Sequence, residues 1–185
     1  SDEFAMIEDR AGELGFQIAS TVLNAADYGV SQRRRRAIII AVKNGDPAEH
    51  FPPRASHYDP RFHAGNLLLE GLERTPWRTV RDAIGDLPRP GGTEIRYEAG
   101  SPMDLHFGRN PTPMSVQRYK AIPKEGMNRF DLLRNAPHLT PACWVRKTTG
   151  GTDLFGRLWW SRPSFTIRTE FYKPEKGRYL HPSQH

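Results

Sequence analysis

A run of donor side chains stands between a turn and an apolar segment near the start of the chain. Gln32 is followed by four consecutive arginines, Arg33 to Arg36, and then by the apolar residues 37–42. Arginine can donate two parallel hydrogen bonds to a phosphate or a base edge, and it keeps its charge when partly buried. Because alternate residues of a strand share a face, alternate arginines leading into one can aim at a single site. The cluster therefore predicts an anion-binding or base-binding site, with a solvated basic turn or a nuclear-targeting run as the alternative.

The overall charge favours a polyanionic partner, although many ordinary proteins are mildly basic. The 185 residues hold 27 Lys and Arg against 21 Asp and Glu, which gives a formal net charge of +6. Cys143 is the only cysteine, so an intrachain disulfide and a cysteine-rich metal site are excluded. We expect a buried Cys143, a reducing and cytoplasmic setting, and no metal, since the histidines lack ligand spacing. We also expect no membrane partner, because no apolar run approaches the roughly 18 residues of a spanning helix.

The elements that must position the arginines are predicted by periodicity. Apolar residues recur at helical spacing from Phe4 to Leu14, and Gly15 follows where a C-capping glycine belongs. Residues 16–22 predict a strand, and residues 37–43 predict a second strand that is apolar on both faces and therefore central in a sheet. A unit this small cannot close a core alone. We therefore expect it to be the end of a larger α/β sheet.

Regular structure becomes sparse after the second strand. Proline and glycine mark residues 44–76 as irregular, and Thr79 is placed to cap a short helix with Asp82 at its favourable third position. Residues 93–160 contain short apolar clusters without a sustained period. The sequence predicts a small, irregular α/β domain there.

Five segments, in chain order, resemble conserved parts of the DNA (cytosine-5) methyltransferases. Residues 23–42, with Gln-x-Arg-x-Arg between a Tyr-Gly turn and an Ile-rich strand, are similar to the family's eighth conserved block. Residues 77–88 resemble the segment that opens its target-recognition region, and residues 151–158 and 162–169 resemble the end of that region. Residues 177–182 are similar to the lead into the ninth block.

The resemblance implies roles for three side chains in the arginine cluster. Gln32, Arg34 and Arg36 occupy the named positions of the motif; Arg36 would lie near the flipped cytosine and Arg34 would bind the adjacent backbone phosphate. Ser31 stands where the family usually has proline, which loosens the turn without removing a functional group. Fixed cations suit this place because extruding a base costs a few kcal/mol.

The resemblance also implies a fold and a division of the chain. The fold class would be α/β: the edge portion of a Rossmann-like methyltransferase sheet at 1–45, joined to a small irregular α/β target-recognition domain at 93–170. Residues 46–92 would connect them, and residues 171–185 would return toward the catalytic domain.

The recognition domain would read double-stranded DNA in the major groove. Arg, Asn and Gln pair with guanine and adenine edges, and the loop 147–151 looks flexible and rich in donors. The pairs Trp159–Trp160 and Phe171–Tyr172 are expected to be mostly core rather than stacking surfaces. The candidate DNA-binding residues are Arg96, Arg109, Asn110, Gln117, Arg118, Lys120, Arg129, Arg146, Lys147, Thr148, Thr166 and Arg168.

Several family segments do not occur in these 185 residues. The Phe-x-Gly-x-Gly loop for S-adenosylmethionine, the Pro-Cys nucleophile and the Glu-Asn-Val segment are absent, and Cys143 follows Ala142. We therefore expect a C-terminal fragment from a bacterial or phage enzyme that binds DNA, is inactive alone, and depends on an N-terminal catalytic part; S-adenosylmethionine would serve only the parent. The alternatives are one subunit of a split methyltransferase and a non-catalytic DNA-binding module.

Overall fold

The computed structural model describes residues 2–62, 74–93 and 106–184. It divides the chain into two compact units, residues 1–78 and residues 79–185, which we describe separately. The architecture is mixed α/β with small sheets. The four-part division drawn from the sequence stays a prediction.

The first unit is built on a helix and a hairpin. Helix α1 (Asp2–Glu13) is followed by strand β1 (Gln17–Asn24), and Gly15 between them has a φ of 78°, the left-handed conformation of a helix C-cap. Strand β2 (Arg35–Val42) pairs antiparallel with β1, from Gln17 opposite Val42 to Asn24 opposite Arg35. The predicted helix and both predicted strands are confirmed.

Strand β2 does not occupy the central position expected for it within the described residues. There it pairs with β1 alone, and its Ile38 and Ile39 are 36% and 41% exposed. A two-stranded ribbon cannot cover both of its own faces, so apolar side chains on both sides of β2 remain partly in solvent. That the hairpin is the edge of a Rossmann-like sheet stays a proposal.

A second small sheet follows the hairpin. Strands β3 (His57–Tyr58) and β4 (Thr75–Pro76) are parallel, and the Ser56 amide donates to the Asp27 carbonyl at 3.0 Å. This bond ties the segment after β2 back to the turn between β1 and β2.

The second unit is helical and irregular. Helix α2 (Val80–Ile84) begins with the predicted capping box, in which the Thr79 hydroxyl accepts from the Asp82 amide and the Asp82 carboxylate accepts from the Thr79 amide. Helices α3 (Pro113–Ala121), α4 (Arg129–Asn135) and α5 (Ala142–Arg146) were not predicted. Over the described part of this unit no β-strand occurs and extended pairing is confined to isolated bridge residues, such as Arg157 and Leu180, so the α/β character expected for it is not seen there.

A compact apolar cluster joins these helices. Tyr119, Ile122, Leu132, Ala136 and Phe155 are buried together, and the rings of Tyr119 and Phe155 stack with centroids 5.6 Å apart. The cluster is small, so burial of apolar surface is not the only interaction that holds the unit together.

Arg157 is fully buried and bonds to backbone carbonyls from distant parts of the chain. Its guanidinium donates to the carbonyls of Tyr119, Ile122, His181 and Gln184. Burial lowers the pKa of Arg157 from its ordinary value. The Tyr119 carbonyl lies near the end of α3, and the other three carbonyls lie outside helices and strands, so the Arg157 side chain supplies donors that no strand ladder provides.

Arg178 has the same role as Arg157, because it is a buried arginine whose guanidinium donates to backbone carbonyls. It is 3% exposed and donates to the carbonyls of Gly126, Thr152 and Arg157 at 2.8, 3.0 and 2.7 Å, and it also contacts the Asp153 carboxylate at 3.3 Å. Burial lowers its pKa, while the hydrogen bond to Asp153 acts in the opposite direction. Two buried arginines, linked by a hydrogen bond from Arg178 to the Arg157 carbonyl, therefore fasten the C-terminal segment to the helices.

We predict that Arg157→Met lowers the free energy of unfolding by roughly 3 kcal/mol or more, because each buried carbonyl left without a donor costs about 1–3 kcal/mol. Urea denaturation followed by circular dichroism measures the change. Arg134→Met is the matched control, since Arg134 is 68% exposed and bonds only locally to Asp131. A loss no larger than that of the control would contradict the structural role of Arg157.

We also predict that His181 makes stability depend on pH. Its Nδ1 accepts from the amides of Ser183 and Gln184 at 3.2 and 3.0 Å, so protonation at this atom breaks both bonds. Burial, followed by the charge of Arg157, lowers the pKa of His181 below its ordinary 6.5. Its contribution to stability is therefore present above pH 6.5 and is lost as the pH falls toward the lowered value in the folded state.

Unfolding free energies of the native chain and His181→Asn, compared at several pH values, measure this contribution. The difference between them should depend on pH below 6.5. His138→Asn, at an exposed histidine, should follow the native curve. Parallel curves for the native chain and His181→Asn would exclude the effect.

Candidate nucleic-acid interface

Two hydrogen bonds, one to the backbone amide and one to the carbonyl of Arg34, hold the arginine run to the preceding turn. The Asn24 side-chain oxygen accepts from the Arg34 amide at 3.2 Å, and the Ala25 amide donates to the Arg34 carbonyl at 2.9 Å. Residues 25–28 form a 3₁₀ turn that ends at Gly29 with a φ of 84°, where a Cβ would lie 2.8 Å from the His57 ring. Glycine is therefore required at this turn, and the arginines start from a fixed backbone.

Asp27 joins the turn to the segment after β4. Its carboxylate accepts from the Trp77 indole at 2.8 Å and from the Asn24 amide at 3.4 Å. Because Asn24 also holds the backbone of Arg34, one connected set of hydrogen bonds fixes both the turn and the tryptophan.

The four arginines divide into two alternating pairs along residues 33–36, of which Arg35 and Arg36 belong to β2. Arg33 and Arg35 line a cavity of about 720 Å³, whereas Arg34 and Arg36 are not among its walls. This is the alternation that a strand imposes on successive residues. All four arginines are exposed and Gln32 is half-buried, so the structure keeps Gln32, Arg34 and Arg36 close along one short, accessible segment.

The cavity contains an ion pair of its own. The Arg61 guanidinium donates to the two oxygens of Asp59 at 2.9 and 2.5 Å. These hydrogen bonds hold the pKa of Asp59 below its ordinary value, and the charge of Arg33 acts in the same direction. Asp59 is 7% exposed, so its charge is compensated inside the protein.

Most of the recognition candidates are exposed, and the others are half-buried, buried or outside the described residues. Arg118 is half-buried and donates to the Leu139 carbonyl at 2.7 Å, Thr166 is half-buried, and Arg96 lies outside the described residues. The exposed candidates are Arg109, Asn110, Gln117, Lys120, Arg146, Lys147, Thr148 and Arg168. Three of these, residues 146–148, are consecutive at the end of α5.

Arg129 is the clear error among the candidates, because it is 1% exposed and is not available to DNA. Its guanidinium donates to backbone carbonyls at both ends of the 147–151 loop, including Lys147 at 2.9 Å, Gly150 at 2.6 Å and Gly151 at 3.2 Å. Further bonds reach the carbonyls of Trp144 and Thr149. The loop 147–151 was expected to be flexible. Hydrogen bonds from the buried Arg129 instead hold its carbonyls, while its side chains face solvent.

The aromatic pairs and the cysteine differ partly from expectation. Trp159 is half-buried and packs against the guanidinium of Arg178, 4.1 Å from its ring centroid. Phe171 and Tyr172 are 59% and 48% exposed, so the core assignment is wrong for this pair. Cys143 is exposed, contrary to the prediction that it is buried.

Metal-ligand clusters and membrane-spanning helices would indicate other kinds of site. No group of three or more His, Cys, Asp or Glu side chains among the described residues could hold a metal ion. In the same part of the chain, no helix combines the length and apolar content needed to cross a membrane.

Comparison with known sequences links the chain to one family. The sequence model described as C-5 cytosine-specific DNA methylase matches residues 1–101. The chain is 36% identical over 107 residues to the type II methyltransferase M.BspRI of Lysinibacillus sphaericus, covering 58% of this chain and 22% of that protein.

Two further relatives are similar over nearly the whole chain. The chicken (Gallus gallus) DNA (cytosine-5)-methyltransferase 1 is 34% identical over 91% of this chain, and the type II methyltransferase M1.HgaI of Avibacterium volantium is 28% identical over 97%. The chain spans 11% and 42% of the lengths of these two proteins.

We predict that Arg129→Lys loosens the 147–151 loop while the helices stay folded. A lysine ammonium has three donors and no planar fork, so it cannot satisfy the same set of carbonyls. Limited digestion with trypsin should cleave after Lys147 about tenfold faster, which corresponds to roughly 1.4 kcal/mol of lost local stability. Arg134→Lys, an exposed position on the same helix, should leave the rate unchanged. Equal cleavage rates in the two variants would show that Arg129 does not hold the loop.

Proposed function

The chain belongs to the C-5 cytosine-specific DNA methylase family, and from this premise we propose that it forms a DNA-contacting surface and the target-recognition part of a cytosine-5 DNA methyltransferase. The observation that carries the proposal is the anchored arginine run. Asn24 and the pairing of β1 with β2 fix the backbone of Arg34 and Arg36 while leaving their side chains in solvent. Fixed, exposed guanidinium groups suit binding to a DNA backbone distorted by base flipping.

In this proposal the arginine segment holds the flipped nucleotide. Arg36, with Gln32 beside it, contacts the extruded cytosine, and Arg34 binds the adjacent phosphate. Their spacing of two residues places Arg34 and Arg36 on the same side of the strand. Exposure of both side chains supports this assignment.

Recognition of the DNA sequence is assigned to the second unit. The exposed residues Arg109, Asn110, Arg146, Lys147, Thr148 and Arg168 can reach DNA from the surface. Arg118 and Thr166 are half-buried, so we assign them a weaker contact. The underlying domain proposal keeps residues 1–45 as the end of the catalytic domain and residues 93–170 as the recognition domain.

We further propose that the methyl-transfer chemistry is completed by residues outside this chain. The chain spans less than half of the length of each relative named above, and its one cysteine is not preceded by proline. S-adenosylmethionine would supply the methyl group in the whole enzyme. The present residues would bind DNA, hold the flipped base and orient it.

Binding to a fluorescent duplex, measured by anisotropy at several salt concentrations, tests the DNA-binding part. Affinity should fall steeply with salt, because phosphate contacts release counterions, and Arg34→Gln should reduce the slope by about one. Arg10→Gln is the control, since Arg10 is exposed on α1 and bonds locally to Glu13. A flat salt response would refute DNA binding.

The role of Arg36 is tested with a duplex in which the target cytosine is mismatched. A mismatched base costs less to extrude, so the native chain should bind this duplex more tightly than the paired one. Arg36→Gln should abolish that preference while retaining most of the general affinity.

A methyl-transfer assay with labelled S-adenosylmethionine tests the dependence on other residues. No transfer is expected from this chain alone, and transfer would overturn that part of the proposal. Activity on mixing with a separate chain that carries the cofactor loop and nucleophile would identify a split enzyme.

A further inference from the structure

The cavity beside the arginine run is a second candidate site. We propose that it binds a nucleotide, with the phosphate on Arg33 and Arg35 and the base against the aromatic wall. The site goes beyond the proposed function, because its two arginines belong to the opposite side of the strand from Arg34 and Arg36. The same run of four arginines would therefore serve two binding surfaces.

The charge of the cavity favours an anion. Its two carboxylates already accept hydrogen bonds from the protein, Asp59 from Arg61 and Asp27 from Trp77 and Asn24. Among the described lining residues the arginines outnumber these carboxylates, so this part of the wall carries an excess of positive charge. The charged lining residues are Arg33, Arg35, Arg61, Arg74, Asp27 and Asp59.

Arg33 and Arg35 are placed for a shared ligand. Arg33 lies two residues before Arg35, the first residue of β2, and the pairing of Arg35 with Asn24 fixes the backbone next to the turn. Two guanidinium groups on one side of a strand can each donate two hydrogen bonds to one phosphate. Both side chains are exposed, so a phosphate in solution can reach them.

The remaining walls favour a ligand with a planar part. The cavity, at about 720 Å³, is larger than a phosphate needs and lies in the usual range of roughly 300–1,000 Å³ for small-molecule sites. His57, Tyr58, Phe62 and Trp77 contribute rings to it. The indole of Trp77 is oriented by its bond to Asp27, so one ring surface is set before a ligand enters.

A nucleotide combines these two chemistries, an anionic phosphate and a flat base. Stacking on aromatic rings tolerates any base, so the cavity is expected to select the phosphate and the ring system rather than a sequence. The ligand can come from a DNA strand or from a free mononucleotide, and the experiment separates the two sources.

The test follows the Trp77 indole N–H by ¹H–¹⁵N NMR in the full 185-residue chain, with the signal identified through Trp77→Phe. Addition of dCMP should shift this signal to saturation, and inorganic phosphate should compete with it. Arg35→Gln should weaken dCMP binding about tenfold, the size expected for lost charge-assisted hydrogen bonds. Lys43→Gln is the charge-matched control just beyond the far end of β2 and should leave the affinity unchanged.

The ligands themselves supply further controls. Deoxycytidine, which lacks the phosphate, should bind at least about tenfold more weakly than dCMP. Displacement of dCMP by a single-stranded oligonucleotide would assign the site to a DNA strand, and failure to displace it would assign the site to the free nucleotide. A Trp77 signal unmoved by dCMP, or equal binding of deoxycytidine and dCMP, would overturn the proposal.

The cavity site and the function proposed above can be refuted separately. Arg34→Gln should lower duplex affinity while leaving the dCMP dissociation constant unchanged, because Arg34 does not line the cavity. Loss of duplex binding with retained dCMP binding refutes the proposed function alone. Duplex binding that depends on Arg34 but is accompanied by no dCMP binding refutes the cavity site alone.

Discussion

The second unit depends on buried arginines that donate to backbone carbonyls. Its described residues form short helices and irregular segments, with isolated bridge residues in place of a strand ladder. Buried carbonyls still need donors, and an arginine side chain offers five N–H groups in a planar fork. Arg157 and Arg178 use these groups to fasten the C-terminal segment to the helices, and Arg178 donates to the carbonyl of Arg157 itself. Desolvating two cations is costly, and only nearly complete hydrogen bonding offsets that cost.

Hydrogen bonds from a buried arginine to backbone carbonyls also connect the core of the second unit to the proposed recognition surface. Arg129 lies on α4 next to the core residue Leu132, and its guanidinium fixes the carbonyls of residues 147–151. Lys147 and Thr148 therefore project from a backbone held by the interior, so they can present donors without ordering a loose loop first. In the first unit, Asp27 has a comparable role, because it holds Trp77 and Asn24 and thereby the turn that precedes the arginines.

Local signals in the sequence predicted α1, β1, β2 and α2, whereas helices α3 to α5 and the long-range contacts were not predicted. Gly15 after α1 and the Thr79–Asp82 capping box are encoded within a few residues, and both are confirmed. The Asn128–Asp131 capping box of α4 is an equally local signal that the sequence interpretation overlooked. The burial of Arg129 depends on carbonyls up to 22 residues away, and no nearby pattern distinguishes it from an arginine on the surface.

The net charge of the chain therefore does not indicate which of its surfaces could bind a polyanion. Arg129, Arg157 and Arg178 contribute to the excess of basic residues, yet each is at most 3% exposed and bonded to its own backbone. What distinguishes Arg33 to Arg36 is position: they follow a glycine turn, lead into a paired strand and remain exposed. Strand alternation then separates them into two pairs with different surroundings, one beside a cavity and one outside it. The geometry of the backbone, more than the number of arginines, therefore decides the surroundings of each pair.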